Sequence, residues 1–324
     1  MRDMRDYDVV VVGGGAAGLS AALVLARTRR TVAVVDAGGP RNAPAAHMHG
    51  FLSRDGMPPH DLVAAGRAEV ADYGGSLIDD TVVGVEPGFH VRLASASRLR
   101  ARRILIATGL RDELPDIPGV QERWGRDLLH CPYCHGYEVR DRPLGVLGGS
   151  PEAVQHALLV RQWSPDVVLF PHTDAVGPAN RDQLTARGIR VVEGAVARLV
   201  VADDQLQGVE LDGGTVIPRM AVFVRPRFVP NADLLTGLGC ELDEHGWVVH
   251  DPTGRTSVAG VWVAGNAADP RAQVISAAGQ GSAAAIALNA DLVDEDVKRA
   301  LADHRLGHAA SAPALPIHLS EELR

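Results

Sequence analysis

The sequence predicts an α/β protein built on two strand–turn–helix–strand units, and three observations point to it. A short apolar run leads into a glycine-rich turn and then a helix, twice along the chain. Further strand-like and helical stretches alternate between and after these units. The composition, 46% apolar and 22% charged in 324 residues, suits a globular protein of one large domain or two ordinary ones. Aromatics make up only 4%, so Ala, Val, Leu and Gly must fill the interior. The formal net charge is −8 and no basic run is long, which argues against a nucleic-acid partner. No apolar run reaches membrane-spanning length, so no membrane partner is expected. The start, "MRDMRDYD", is charged and lacks the apolar core of an export signal, so the expected compartment is the cytoplasm.

Each element has a local reason. "YDVVVVG" is a Val run suited to a strand covered on both faces, "GGGAAGLSAALVLAR" an Ala/Leu-rich helix, and "TVAVVDAG" a second strand. A Gly/Pro/His-rich stretch, "GGPRNAPAAHMHGFLSRDGMPP", reads as an ordered loop, and "PHDLVAAGRAEVADYGG" as a helix. Short strands follow, among them "RRILIATG". The Pro-containing connector "LRDELPDIPGV" marks a boundary near residue 117. "RPLGVLGG" then repeats the strand-plus-glycine pattern. The helix "SPEAVQHALLVRQW" has Ser150 as N-cap and Pro151 at its first position, and "DVVLF" is the strand after it. "GVWVAGN" gives a late strand and "SAAGQGSAAAIALNADLV" a long small-residue helix. The tail after about residue 305 reads as loosely ordered.

The first glycine turn is Gly13, Gly15 and Gly18 in a G-x-G-x-x-G pattern. Gly13 permits the turn, Gly15 lets backbone approach a pyrophosphate, and Gly18 lets helix pack on strand. Ala16 and Ala17 open the helix whose N–H groups would face that anion. Asp36, followed by Ala37, ends the next strand, where its carboxylate would accept hydrogen bonds from an adenosine ribose. Together these predict a dinucleotide site.

The second signal is "CPYCHGYE": Cys131, Cys134 and His135. Such a pattern serves as a haem attachment site, half of a zinc site, a redox dithiol, or two plain buried thiols. Haem attachment needs export and a second axial ligand; zinc needs two more ligands at short spacing, and the one other cysteine, Cys240, stands alone. A redox dithiol fits a cysteine pair in a reducing compartment best, and no metal is expected. Two intervening residues let the sulfurs close into a disulfide that exchanges readily. Cys240 reads as structural.

The strand ending in "ATG", with Thr108 and Gly109, and the late strand ending in Gly265 and Asn266 before a small-residue helix, resemble the two-dinucleotide-domain flavoproteins. From about Tyr7 to about Asp291 the chain resembles the low-molecular-weight thioredoxin reductases. The resemblance implies two Rossmann-like dinucleotide-binding domains, the second inserted into the first. Residues 1–117 and 247–324 would form an FAD-binding domain, and residues 118–246 an NAD(P)-binding-like domain carrying the cysteines. It implies a homodimer, FAD as cofactor, Cys134 against the flavin and Cys131 toward the substrate. Asn266 stands where those proteins have Asp, and would still reach a ribityl hydroxyl. Gln273 and Val274 lie in a stretch that resembles the one wrapping the flavin ring. His135 stands where the reductases have Asp; an imidazole titrating near neutrality can take a thiol proton and return it.

The middle loop, "VLGGSPEA", departs further. Ser150 stands at the second key glycine, and no Arg or Lys occurs from Pro171 to Asn180, where an NADP 2′-phosphate would need one. No acidic residue ends "DVVLF" to serve NAD instead. The electrons would then come from the substrate. "PRNAPAAHMHGFLSRDG" and "CPYCHGYE" resemble the natural-product dithiol oxidases of the holomycin and gliotoxin type. That resemblance implies a small-molecule dithiol as substrate and O2 as acceptor, giving H2O2. It places Arg41 and Asn42 near the FAD phosphates and His47 and His49 by the flavin or substrate. The rivals are a disulfide reductase fed by NADPH or another donor, and a flavin-binding redox sensor without turnover.

Overall fold

The computed structural model describes residues 5–310. In chain order, β1 (Arg5–Val12), α1 (Ala16–Arg27), β2 (Val32–Asp36), α2 (Pro59–Asp72), β3 (Ser76–Asp79), β4 (Val82–Glu86), β5 (His90–Leu93) and β6 (Arg98–Ile106) form the first half. β7 (Leu110–Glu113) leads out of it. The middle contains α3 (Val120–Arg123), β8 (Leu128–Leu129), α4 (Pro132–His135), β9 (Leu144–Leu147), α5 (Pro151–Val160), β10 (Val167–Phe170), α6 (Pro178–Ala186) and β11 (Arg190–Val191). It continues through β12 (Val196–Ala202), β13 (Gln205–Leu211), β14 (Val216–Pro218) and β15 (Ala221–Val224). β16 (Arg227–Pro230) leads back, followed by α7 (Asp233–Gly237), β17 (Val261–Val263) and α8 (Val274–Ala310).

The first sheet runs β3-β2-β1-β6-β5-β4, with β17 also pairing β6. Its β1, β2, β3, β6 and β17 pairings are parallel, and β4 and β5 add an antiparallel edge. Val9, Val10, Val11 and Val12 of β1 are all buried, because helices cover one face and the 234–248 segment the other. The second sheet runs β11-β10-β9-β15-β8, all parallel, and repeats the same plan. This is the thioredoxin-reductase-like arrangement of two dinucleotide-binding sheets that the sequence predicts. β7 and β16, the strands that leave and return, pair antiparallel with each other.

Two boundaries differ from expectation. Leu234, Leu235, Leu238, Cys240 and Leu242 pack in the core of the first sheet with Val10, Ile104 and Val261. On packing, the return crossing therefore falls at β16, ahead of the 246/247 boundary. Glycines and charges between residues 237 and 246 hide the short apolar run that makes this contact. The late helix starts at Val274 and continues to Ala310, past the expected loss of order near 305; the rest of that tail lies outside the described residues. Its acidic continuation is paired with arginines. Arg30 reaches Asn289 and Asp296, Arg103 reaches Asp291 and Glu295, and Arg102 joins Asp296.

The small residues of α8 let it lie against α1. A Cβ on Gly281 would stand 2.0 Å from the Ala17 carbonyl oxygen, and one on Gly265 would meet the Ala17 Cβ at 2.8 Å. Only glycine permits that approach, which brings α8 and the turn after β17 to the rim of the first glycine loop.

Candidate active site

The first glycine turn has the form its sequence requires. Gly13 adopts φ +105°, and a Cβ there would stand 2.3 Å from the Ala107 carbonyl oxygen, a clash any side chain would suffer. A Cβ on Gly18 would lie 1.9 Å from the Gly13 oxygen, whereas one on Gly15 would meet nothing within 4 Å. Gly15 thus faces open space at the start of α1, where it is the N-cap without a side-chain hydrogen bond. Helix N–H groups with no capping side chain, beside an open glycine, make an anion cradle. The Gly14 N–H donates to Asp36 Oδ1 at 2.9 Å, which fixes the carboxylate at the end of β2. Ala16 and Ala17 open α1, and Ala37 is exposed just past Asp36. Opposite, Gly109 takes φ +69° with open space beside it. Thr108 and Asn231 lock together through Oγ1 to the Asn231 carbonyl at 2.9 Å and Nδ2 to the Thr108 carbonyl at 2.8 Å. An uncapped helix start beside open glycines, with a carboxylate fixed next to it, has the chemistry to hold FAD.

Arg41 and Asn266 come together, held by protein partners. Arg41 makes a two-pronged ion pair with Asp112 at 2.8 and 2.7 Å, and its Nη1 donates to Asn266 Oδ1 at 3.3 Å. The Asn266 amide donates to the Asp269 and Ala272 carbonyls, so it also braces the turn into α8. An Asp at this position would have no amide to brace that turn. Asn42 turns the chain, its carbonyl accepting from Ala45 N–H at 3.0 Å. Gly265 N–H donates to Gln280 Oε1 at 3.1 Å.

The cysteines meet. Cys131 and Cys134 are joined in a disulfide, with Cα atoms 5.2 Å apart, at the first turn of α4. Pro132 at the first helical position and the N–H groups of Cys134 and His135, both on the Cys131 carbonyl at 3.1 Å, set that turn. Gln273, immediately ahead of Val274 and α8, points its amide at Cys131 Sγ across 4.0 Å. The disulfide therefore lies beside the residue that leads into α8. Burial pushes the His135 imidazole below its usual range, with Glu138 opposing and His49 adding to the shift. His49 lies 3.5 Å from Glu138 and 3.4 Å from Asp55, while His47 is exposed. On the outer face, Tyr133 packs edge-on against Trp163, with ring centres 5.6 Å apart. Cys240 is buried, and its thiol lies 3.5 Å from Thr256 Oγ1, away from the pair. Among the described residues no His, Cys, Asp and Glu cluster could hold a metal.

The second glycine loop differs from its reading in one respect. Ser150 caps α5, accepting from Ala153 N–H at 3.3 Å, and Glu152 accepts from the Ser150 hydroxyl at 2.8 Å. Asp174, four residues past β10, folds back so that its Oδ2 accepts from Gly149 N–H at 3.0 Å, as Asp36 does from Gly14. The strand does not end in an acid, but a turn returns one to that place. A cavity of about 360 Å³ opens here, and its lining includes Gly148, His172 and Asp174, together with Arg225 and Arg227 from the far side of the sheet. Those arginines lie about fifty residues from where sequence spacing would seek them. Asp112, Asn231, Asp174 and Glu138 were likewise not legible, because each acts through a contact distant in sequence or across a turn.

Comparisons with known proteins bear on the fold and the family. Residues 7–282 match the family model described as pyridine nucleotide-disulphide oxidoreductase. The chain is 31% identical over 313 residues to "Thioredoxin reductase sirT" of Leptosphaeria maculans, covering 90% of this chain and 96% of that protein. It superposes on the crystal structure of HlmI with a TM-score of 0.91 and 58% identity, covering 96% of this chain and 99% of the other. An oxidoreductase from Agrobacterium tumefaciens superposes with a TM-score of 0.83 and 33% identity, over 89% and 99% of the two chains. With its glycine cradle, its paired cysteines and its match over most of its length, the chain belongs to the pyridine nucleotide-disulphide oxidoreductase family, as an FAD-dependent, thioredoxin-reductase-like disulfide oxidoreductase.

Proposed function

We propose that the chain is a dithiol oxidase, which closes an intramolecular disulfide in a small-molecule dithiol and passes the electrons to O2. The observation that carries this reading is the Cys131–Cys134 disulfide, set beside Gln273 and the His49 loop. A substrate thiolate attacks Cys131 Sγ, and Cys134 leaves as thiolate. The second substrate thiol then attacks its own sulfur in the mixed disulfide, and Cys131 leaves. Two electrons pass to the protein sulfurs and two protons leave the substrate. His135 accepts the proton of the first attacking thiol and returns it to the departing Cys134 thiolate, then does the same between the second thiol and the departing Cys131. The chemistry FAD supplies when bound is two-electron acceptance from the pair and delivery to O2 as H2O2. Residues of the first glycine turn, Asp36, Thr108, Gly109, Gly265 and Gln273 would hold that group. We place the enzyme in the cytoplasm as a homodimer; among the described residues no helix is long and apolar enough to cross a membrane.

A second reading, a reductase fed by a pyridine nucleotide, is favoured by Asp174 and Arg225 at the second cavity. Anaerobic mixing of the yellow holoprotein decides between them. A dithiol such as dithiothreitol bleaches the flavin and NADPH leaves it yellow if the oxidase reading is right; rapid stoichiometric bleaching by NADPH overturns it. Cys131→Ser and Cys134→Ser each lower dithiol-dependent oxygen uptake by roughly 10³-fold or more, and Cys134→Ser keeps its flavin.

A further inference from the structure

The segment between Met48 and Met57 is a closed loop tied by its own backbone. Met48 N–H donates to the Met57 carbonyl at 2.9 Å and Gly56 N–H to the Met48 carbonyl at 2.9 Å. Gly50 N–H donates to Asp55 Oδ1 at 2.8 Å, and Met48 is buried beneath the loop. At its inner edge His49 stands between two carboxylates, Asp55 of its own loop at 3.4 Å and Glu138 at 3.5 Å. Glu138 follows α4 and belongs to the segment that carries the disulfide. Opposite the same loop, Gln273 lies against Gly50, 3.6 Å from where a Cβ would stand, and reaches toward Cys131. One imidazole thus joins the loop to the cysteine segment, and the Gln273 amide lies between the loop and Cys131.

We propose that Glu138 is a positioning residue: through its contact with His49 it clasps the 48–57 loop beside the cysteine pair and so shapes the substrate mouth. This rests on the reading of Cys131 and Cys134 as the reacting pair. The charged and titratable groups that face His49 are Asp55, Glu138 and His135; those that face His135 are Glu138 and His49. Glu138 favours the protonated form of His135, and His49 disfavours it. The two members of the clasp therefore share one mechanical role and have opposite electrostatic effects.

That opposition gives the test. Glu138→Gln and His49→Gln holoproteins each raise KM for dithiothreitol about twofold to fivefold with kcat little changed, as expected for a partly exposed ion pair. The double variant is no worse than either single one. The acid limb of kcat/KM moves to lower pH in Glu138→Gln, which loses a negative charge, and to higher pH in His49→Gln. The same opposite displacements appear in the pH dependence of Cys131 alkylation by iodoacetamide after anaerobic reduction, a readout that needs no turnover. Unchanged KM in both single variants, or additive losses in the double one, overturn the clasp. Displaced alkylation profiles with no dithiol turnover in the parent protein would sustain the clasp and sink the oxidase reading.

Discussion

His156 has both ring nitrogens buried without a hydrogen-bond partner. Its ring lies 5.9 Å from that of His130, which abuts Phe228, which in turn lies 5.0 Å from the Arg41 guanidinium. Burial lowers His156 to about 4 and His130 to about 3, from an ordinary 6.5. Both folded-state values lie below the unfolded one, so the neutral rings contribute stability that is fully present above pH 6.5. It is lost as the pH falls from there toward 4 and 3, because the unfolded chain takes up the protons first. Replacing His156 with Phe removes that acid sensitivity and the two orphaned nitrogens. The holoprotein's unfolding midpoint at pH 5 rises by about 2–4 °C relative to the parent, with a smaller change at pH 7.5. A midpoint at pH 5 that falls would refute the assignment. None of this was legible in the sequence, where His130 reads only as the residue before Cys131. The cysteines and the first glycine turn were legible, because their chemistry is local: spacing alone lets two sulfurs meet in one turn.

At the scale of elements, the two strand–turn–helix units were readable because an apolar run, a glycine turn and a helix are all short-range patterns. The length of α8 was not, since its middle, from Asn289 to Asp296, is held by arginines from β6 and from the turn after α1. Neither was Asp174, whose place beside Gly149 depends on a turn closed by its own N–H on the Pro171 carbonyl at 3.2 Å. The α1–α8 contact makes the sharpest demand on sequence. Valine at Gly281 would force the two helices apart against backbone, with a cost of roughly 1–3 kcal/mol. Because α1 carries the anion cradle, the expected outcome is a lower ratio of 450 to 280 nm absorbance in purified Gly281→Val as well as a lower melting temperature. Full flavin occupancy in that variant would show that the packing does not support the cradle.

At the scale of the molecule, β7 and β16 form the pair of strands that crosses between the halves, and Arg41 with Asp112 pins the first loop to that pair. Ile286, Val293, Val297 and Leu301 are exposed along α8, an apolar row available to the homodimer proposed above. Sedimentation velocity is expected to give a dimer for the parent, and Val293→Glu with Val297→Glu to shift it to monomer; a monomeric parent would remove the homodimer from the proposal. Nothing local to that helix says which copy covers it, so this part of the molecule could be expected only by likeness.

The third sulfur has a practical consequence. Cys240 lies in the core of the first sheet, and burial raises its thiol above the usual range. A colorimetric thiol reagent added to native protein therefore senses only the outer pair: none when oxidised, two when reduced. The remaining one answers only after denaturant is added. Simple stoichiometry in a cuvette then separates a change in electron inventory from a loss of structure.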